Sequence, residues 1–337
     1  MAAYIDEDLN DPAKYFTAFL WTGDGTSPRS ITGVGFQANM MWSKIRDTGH
    51  EHSLVDTVRG VDNKRLKTDS TAAEDTNNTH GHFDSLDSDG FTVTGASGYY
   101  NVNRDTEPYV GWFWKESATA GFDIVTYTGN ATNRTISHSL SAVPEMILFK
   151  SRSGSHNWSV YHQANGNTHG QFLNTTSAKD DDATYYQDTT PTSSVFSIGT
   201  SVLVNDNTET YVAYAFAPKQ GFSKFGSYVG NGDADGQFIY TGFRPAFVIT
   251  KRSETGGDNW HILDNKRDIF NPAKEVISAN ANTAEGTTST SFIDFLSNGF
   301  KCRGTGASIN TDATDYIYMA FAEAPFVNSN GVPCNAR

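Results

Sequence analysis

An aromatic strand occurs three times in nearly the same form, about a hundred residues apart. The copies are YVGWFWKE at 109–116, YVAYAFAP at 211–218 and YIYMAFAEAP at 316–325. Four landmarks precede each copy in the same order: a Gly-Asp or Gly-Asn turn after an aromatic residue, an apolar strand with a Lys near its end, an alternating strand, and a late pair of strands. Such repeats constrain a fold strongly, because each copy must fold into a similar unit.

Each unit predicts five or six short strands in about 100 residues, with turn signals between them and no helical period. This pattern predicts an all-β chain of three tandem antiparallel β-sandwich repeats, of the jelly-roll or lectin-like type. Composition agrees, because 13% of the residues are aromatic and only 5 are Met. The predicted divisions are an N-terminal segment with a divergent first repeat (1–117), a second repeat (118–219), a third repeat (220–326) and a C-terminal tail (327–337).

The strand YVAYAFAP divides into two faces, because successive side chains of a strand point to opposite sides. One face is small and contains Ala213, Ala215 and Ala217. The other is bulky and contains Val212, Tyr214 and Phe216. We expect both faces to be buried, with the bulky face filling its own sandwich and the Ala face allowing another layer to approach closely.

The bulk composition excludes several classes of protein. The net charge is −13 and there is no stripe of Lys and Arg, so neither nucleic acid nor an anionic membrane is predicted as a partner. The first residues, MAAYIDEDLNDPAKYF, contain no basic leader or apolar run, and no segment approaches the roughly 20 apolar residues of a membrane span. We therefore expect no signal peptide and folding in a cytoplasm. The two cysteines, Cys302 and Cys334, imply no disulfide framework, and two free thiols are favoured over a pair.

A family resemblance rests on several motifs of the second and third units. GFSKFGSYVGNGDADGQFIYTGFRPAFVITKR at 221–252, followed by NWHILDNKR, FLSNGFK and YIYMAFAEAPF, resembles a repeat family of structural and tail-fibre-type proteins in tailed bacteriophages. The resemblance covers about residues 122–326, and the first unit lacks the Pro and the Trp of the shared pattern. It implies a virion component with a lectin-like β-sandwich, assembled in the host cytoplasm without a signal peptide. It supplies no catalytic residues.

Candidate metal ligands occur in four polar segments. THGHFD at 79–84 places His80 and His82 on one side of a strand, followed by Asp84. DSDG at 87–90 and DADG at 233–236 resemble fragments of calcium loops, and KDDDAT at 179–184 clusters three carboxylates. We interpret all four as polar loops, because none continues into a complete ligand pattern. No metal or other cofactor is therefore assigned, and Ca²⁺ is the alternative.

No catalytic residue is predicted. Asp264 lies in the alternating strand of the third unit and has counterparts at Asp56 and His162. Because these residues recur at strand ends, we interpret them as structural. The nucleophile-elbow, P-loop and zinc-protease motifs do not occur in the sequence. A glycosidase needs two carboxyl groups a few ångströms apart, and the spacing of Asp and Glu in the sequence does not indicate such a pair.

Glycan binding requires aromatic platforms and polar loop groups. Trp42, Trp158 and Trp260 lie within predicted strands, and Trp112 and Trp114 alternate onto one face of another. We predict that all five belong to the core. The long polar loops, such as 165–194, are the favoured recognition surface, but no glycan-binding residue is assigned within them.

These observations favour a non-enzymatic bacteriophage virion protein, in a tail fibre or tail tip, that attaches to a host-surface glycan. The alternatives are a capsid decoration or head-fibre protein and, from a different class, a polysaccharide depolymerase. The expected partners are other virion proteins and a host cell-surface glycan. A homo-oligomer is also expected, with a trimer favoured.

Overall fold

The chain folds almost entirely into antiparallel β-sheet. The structure is a computed structural model and describes residues 5–77, 81–95 and 102–335. Strands account for 42% of the chain and helices for 6%, so the all-β, sandwich-like prediction is confirmed. None of the helices in these three ranges is long and apolar enough to cross a membrane.

The secondary structure consists of short strands with a few single-turn helices. In chain order the strands are β1 (Phe16–Thr22), β2 (Arg29–Thr32), β3 (Met40–Ile45), β4 (Ser53–Asp56), β5 (His82–Asp87), β6 (Gly90–Thr94), β7 (Pro108–Trp114), β8 (Phe122–Thr128), β9 (Arg134–Ser137), β10 (Met146–Ser151), β11 (Ser159–His162), β12 (His169–Phe172), β13 (Asp180–Asp181), β14 (Val195–Ile198), β15 (Thr210–Phe216), β16 (Ser223–Val229), β17 (Phe238–Tyr240), β18 (Phe243–Arg252), β19 (His261–Asp264), β20 (Glu275–Ser278), β21 (Gly286–Thr287), β22 (Ile293–Leu296), β23 (Gly299–Cys302) and β24 (Asp315–Pro325). The helices are α1 (Ala183–Tyr186), α2 (Val202–Asn205) and 3-10 turns at Glu7–Asn10, Pro12–Lys14 and Gln163–Asn165.

Three large sheets contain the three aromatic strands. Their strand orders are β1-β7-β3-β4, β8-β15-β10-β11-β12-β13 and β16-β24-β18-β19-β20-β21. Three smaller sheets have the orders β2-β6-β5, β9-β14 and β17-β23-β22. Each ladder between these strands joins elements from one of the predicted units. The division of the chain into three tandem repeats remains a prediction.

A buried asparagine and a tyrosine fix the loop before each aromatic strand. Asn205 accepts a hydrogen bond from the backbone N–H of Asn130, in the turn after β8, at 3.0 Å. Six residues later, the hydroxyl of Tyr211 accepts from the backbone N–H of Asp206 at 2.8 Å. The same pairing of loop and turn occurs before the other two aromatic strands, at Asn103 with Tyr109 and at Asn310 with Tyr316. These contacts join the loop before each aromatic strand to the turn after the first strand of the same large sheet.

The two faces of the second aromatic strand pack in the opposite way to the prediction. Both faces are buried, as expected. Ala213, Ala215 and Ala217 lie inside their own sandwich, in a cluster with Phe149 and Phe196. The bulky face, with Val212, Tyr214 and Phe216, joins a core shared with the other large sheets. The small Ala side chains leave room for rings from β10 and β14, while the bulky side chains fill the wider space between large sheets.

The aromatic side chains of the shared core connect all three large sheets. Phe16 of the first sheet stacks on Phe321 of the third, with ring centroids 4.9 Å apart. Phe216 of the second sheet meets Phe321 edge-on at 6.0 Å. Trp114 of the first sheet contacts Phe321 at 5.7 Å and Phe247 at 5.9 Å. One hydrophobic core therefore continues across the predicted divisions.

Hydrogen bonds also join the large sheets in a closed ring. Tyr214 of the second sheet donates to Asp56 at the end of β4, at 2.6 Å. Trp112 of the first sheet donates its Nε1–H to Asp264 at the end of β19, at 3.0 Å. His162, at the end of β11, contacts the carbonyl oxygen of Tyr318 in the third sheet through Nε2, at 3.2 Å. Each sheet is thus bonded to both of the others.

Buried ion pairs reinforce two of these three junctions. Arg59 donates to Asp56 at 2.5 Å and to Glu74 at 2.6 Å, and Glu74 also accepts from Arg152 of the second sheet. The junction of the third and first sheets has the same arrangement in Arg267, Asp264, Glu285 and Arg46. Pairing is needed there because an unpaired charge in a core costs several kcal/mol. At the remaining junction a neutral amide, Gln171, donates to the carbonyl oxygen of Arg252.

Phe321→Ala tests whether the three sheets unfold together. Removing a buried Phe side chain from a packed core costs about 3–5 kcal/mol. Because Phe321 contacts rings from all three sheets, we expect the whole transition to move to lower denaturant as a single step. Guanidinium unfolding, followed by tryptophan fluorescence and far-ultraviolet circular dichroism, measures this. Phe270→Ala, at an exposed position, is the control, and separate transitions for the two signals would contradict a shared core.

Candidate functional site

The exposed aromatic side chains lie on or beside one small sheet. Among the described residues, the large aromatic side chains that are exposed are Phe238 (44%), Tyr240 (53%) and Phe270 (76%). Phe238 and Tyr240 alternate with the buried Ile239 on β17, so both point away from the core. Phe270 precedes Asn271, whose side chain bonds the backbone of β22 at the other edge of the sheet.

We call the outward side of the β17-β23-β22 sheet the aromatic face. Its members are Phe238 and Tyr240 of β17, Gly299 and Lys301 of β23, and Asp294 and Leu296 of β22. Tyr240 is paired with Gly299, which is paired in turn with Leu296. A Cβ atom at Gly299 would lie 2.9 Å from the ring of Phe238, so this ring covers the glycine. The row Tyr240, Gly299 and Leu296 is therefore apolar, and Lys301 and Asp294 lie in the row beside it.

Charged groups of both signs surround the aromatic face. The Nζ of Lys224 lies 5.3 Å from the centre of the Tyr240 ring and donates to the Tyr240 carbonyl oxygen at 2.7 Å. Burial lowers the pKa of Lys224. Lys301 and Arg303 both pair with Asp235, at 2.9 and 2.6 Å, and their hydrogen bonds and charges lower the pKa of that carboxyl. Rings flanked by donors and acceptors can stack on a sugar and bind its hydroxyl groups.

The other two small sheets do not present aromatic side chains at these positions. Ile31, Ile136 and Ile239 are equivalent, because they pair with Phe91, Phe196 and Phe300 of the neighbouring strands. The residues on either side of them are Ser30 and Thr32 in the first sheet, Thr135 and Ser137 in the second, and Phe238 and Tyr240 in the third. The segments RSIT, RTIS and QFIY already contain this difference in the sequence, but they show it only once the three isoleucines are known to be equivalent.

The tryptophans and the long polar segment considered for glycan recognition do not belong to the aromatic face. All five tryptophans assigned to the core, Trp42, Trp112, Trp114, Trp158 and Trp260, are buried, so that prediction is confirmed. The segment 165–194 is not one open loop, because it contains β12, β13 and α1 and buries Tyr185 and Tyr186. Hydrogen bonding to the edge of the second large sheet orders this segment, a feature that its polar composition did not indicate.

Of the four polar segments with candidate metal ligands, only the first gathers several ligand types at one place among the described residues. His80 lies outside the described residues. His82 and Asp84 are close, and Asp62 joins them from the segment after β4. In the other segments, carboxylates make local contacts: Asp87 accepts from Ser85 and Thr92, Asp235 pairs with Lys301 and Arg303, Asp180 accepts from Tyr185, and Asp182 caps α1.

The strand-end residues Asp56, His162 and Asp264 are buried at the junctions between the large sheets. Burial lowers the pKa of His162 to about 4, so its imidazole is neutral at pH 7. Burial alone would raise the pKa of Asp264, but the charge and hydrogen bonds of Arg267 bring it below its ordinary value. Because these side chains are buried, they connect the sheets and are not accessible to a substrate.

Two carboxyl pairs resemble the acid pair of a glycosidase only in composition. Glu116 hydrogen bonds to Asp123, and burial is the main cause that raises the pKa of Glu116 to about 7. Glu107 hydrogen bonds to Asp47, which raises the pKa of Glu107. A glycosidase holds its two carboxyl groups about 5–9.5 Å apart, so that a sugar and a water fit between them. Carboxyl groups in direct hydrogen bonding are too close for that arrangement.

The two cysteines are free thiols, as predicted. Cys302 is buried in the shared core, and burial raises the pKa of its thiol to about 12. The Cys334 thiol contacts the carbonyl oxygen of Ser297 near the C-terminal end of the described chain. Neither environment favours a reactive thiolate.

Comparison with known proteins identifies a family. Residues 11–325 match the family model described as a domain of unknown function, DUF7483, so the chain belongs to that family. No curated protein and no solved structure matches the chain.

The free energy of unfolding should depend on pH through Glu116. The folded chain retains this proton up to a pKa of about 7, whereas an unperturbed Glu loses it near 4.5. Tighter proton binding by Glu116 stabilises the folded chain. This stabilisation is complete below about pH 4.5 and is lost as the pH rises through about 7. We expect the melting temperature of the wild type to fall relative to Glu116→Gln over this range. Glu7→Gln, at an exposed carboxyl, is the control, and a constant difference between the wild type and Glu116→Gln would contradict the assignment.

Proposed function

We propose that the chain is a non-enzymatic structural protein of a bacteriophage virion, in a tail fibre or tail tip, and that its aromatic face attaches to a host-surface glycan. The observation that carries the binding proposal is the exposed pair Phe238 and Tyr240, at positions where the other small sheets have Ser and Thr. The assignment to a virion rests on the sequence motifs of residues 122–326.

A glycan is the ligand that best suits the chemistry of this face. Its apolar row crosses the sheet, about 10 Å between the outer strands, which suits sugar rings stacked along a chain. Lys301, Asp294 and Arg303 beside this row supply donors and acceptors for hydroxyl groups. The large sheets beneath form a common support, because one shared core connects them.

The proposed partners are other virion proteins, and the proposed assembly is a homo-oligomer, with a trimer favoured. Light scattering of the purified chain measures its oligomeric state.

Antibody labelling of intact particles in the electron microscope measures where the chain lies on the particle. Label at the tail supports attachment, whereas label over the head would replace this proposal with a capsid decoration role. Released reducing ends from host polysaccharide would instead indicate a depolymerase.

The double substitution Phe238→Ser and Tyr240→Thr tests the binding proposal. It installs the residue types of Ser30 and Thr32, which the same strand position already tolerates in the first small sheet. Loss of these two aromatic contacts should weaken binding to isolated host-surface polysaccharide at least about tenfold, equivalent to about 1.4 kcal/mol. Biolayer interferometry against the immobilised polysaccharide measures the change.

The matched control is the pair Thr135→Ala and Ser137→Ala on the second small sheet, which should leave binding unchanged. Melting curves of both variants establish that the fold is intact. If the aromatic variant binds as well as the wild type while its melting curve is unchanged, the aromatic face is not the binding site.

A further inference from the structure

A second surface site lies on the first small sheet, away from the aromatic face. His82 begins β5, Asp84 follows it on the same strand, and Asp62 lies in the segment between β4 and β5. The Nε2 atom of His82 is 3.1 Å from Oδ1 of Asp62 and 3.8 Å from Oδ1 of Asp84. All three ligand atoms lie within 4.8 Å of one another.

A β-bulge places the Asp84 carboxylate at this site. The ladder between β5 and β6 passes from the pair Phe83–Val93 directly to Ser85–Thr92, so Asp84 is an extra residue without a cross-strand partner. The equivalent ladder of the third small sheet, between β22 and β23, has no such interruption. Bulges commonly redirect a side chain at functional sites, and this one presents a carboxylate beside an imidazole.

The charges at this site are incompletely balanced. Within the described residues, neither Asp62 nor Asp84 has a Lys or Arg within ion-pair distance. The carboxylate of Asp75 nearby, in contrast, pairs with both Arg65 and Lys67. Even a protonated His82 would balance only one of the two negative charges. A divalent cation would balance both.

We propose that Asp62, His82 and Asp84 bind a divalent transition-metal ion such as Zn²⁺ or Mn²⁺. Ligand atoms about 2.0–2.2 Å from an ion lie about 3.0–3.5 Å apart at tetrahedral or octahedral angles. The distance from His82 to Asp62, 3.1 Å, falls in this range, and the distance to Asp84, 3.8 Å, is slightly longer. An imidazole nitrogen favours Zn²⁺ over Ca²⁺ and Mg²⁺, which prefer oxygen ligands, and the two carboxylates are suitable ligands for Mn²⁺. The Nδ1 atom of His82 is buried, so Nε2 is the nitrogen that faces the ion.

The ion would join two parts of the first unit that are distant in sequence. Asp62 belongs to the segment that crosses from the first large sheet, and β5 belongs to the small sheet. Binding to the folded chain alone raises stability in proportion to the logarithm of the free ion concentration. It also requires a neutral imidazole, so affinity falls on acidification.

The test uses the full chain, stripped with a chelator and dialysed. We expect Zn²⁺ or Mn²⁺ at tens of micromolar to raise the melting temperature by a few degrees, and calorimetry to give one ion per chain. His82→Ala should abolish both effects. Asp62→Asn, at an exposed carboxylate, should weaken binding at least tenfold and leave the metal-free melting temperature unchanged.

The matched control is His156→Ala, which removes the histidine of a second group formed with Asp206 and Glu209. We expect this variant to bind the ion as the wild type does. The proposal is overturned if neither ion changes the melting temperature, if His82→Ala responds like the wild type, if only Ca²⁺ stabilises the chain, or if the response is lost in His156→Ala instead.

Discussion

The packing of the bulky faces of three central strands against one another is the interaction on which this structure depends. Phe16, Trp114, Phe216 and Phe321 come from three different sheets and form one set of ring contacts. Each large sheet thus buries one face against its own small sheet and the other against its neighbours. Separating any sheet would expose large aromatic surfaces to water, at a cost of roughly 25 cal/mol per Å².

A shared core of this kind determines which ionisable groups are accessible to a ligand. Charges at the junctions between sheets must be paired, as Arg59 is with Asp56 and Arg267 with Asp264. The sequence interpretation of Asp56 and Asp264 as structural agrees with this placement, because in the folded chain both residues connect sheets. Chemistry available to a ligand is therefore concentrated on the outer surfaces.

The two proposed sites both lie on small sheets, and this location has a physical reason. A large sheet is covered on both faces, whereas a small sheet has one face free. Residues on that free face can vary without disturbing the core, as Ser30 and Phe238 illustrate at equivalent positions. The large sheets then provide stability, and the small sheets provide surfaces that differ from one small sheet to the next.

The sequence by itself determined the all-β class and the burial of its five predicted core tryptophans, because alternation and turn residues act locally. It did not determine which layer each strand face meets. Ala213 and Tyr214 are both buried. Alternation distinguishes a buried face from an exposed one, but it does not distinguish two buried faces from each other. Only the tertiary structure decided that Phe238 and Tyr240 remain uncovered and that Asp62 meets His82. Both outcomes depend on contacts between segments distant in the chain, which no local pattern encodes.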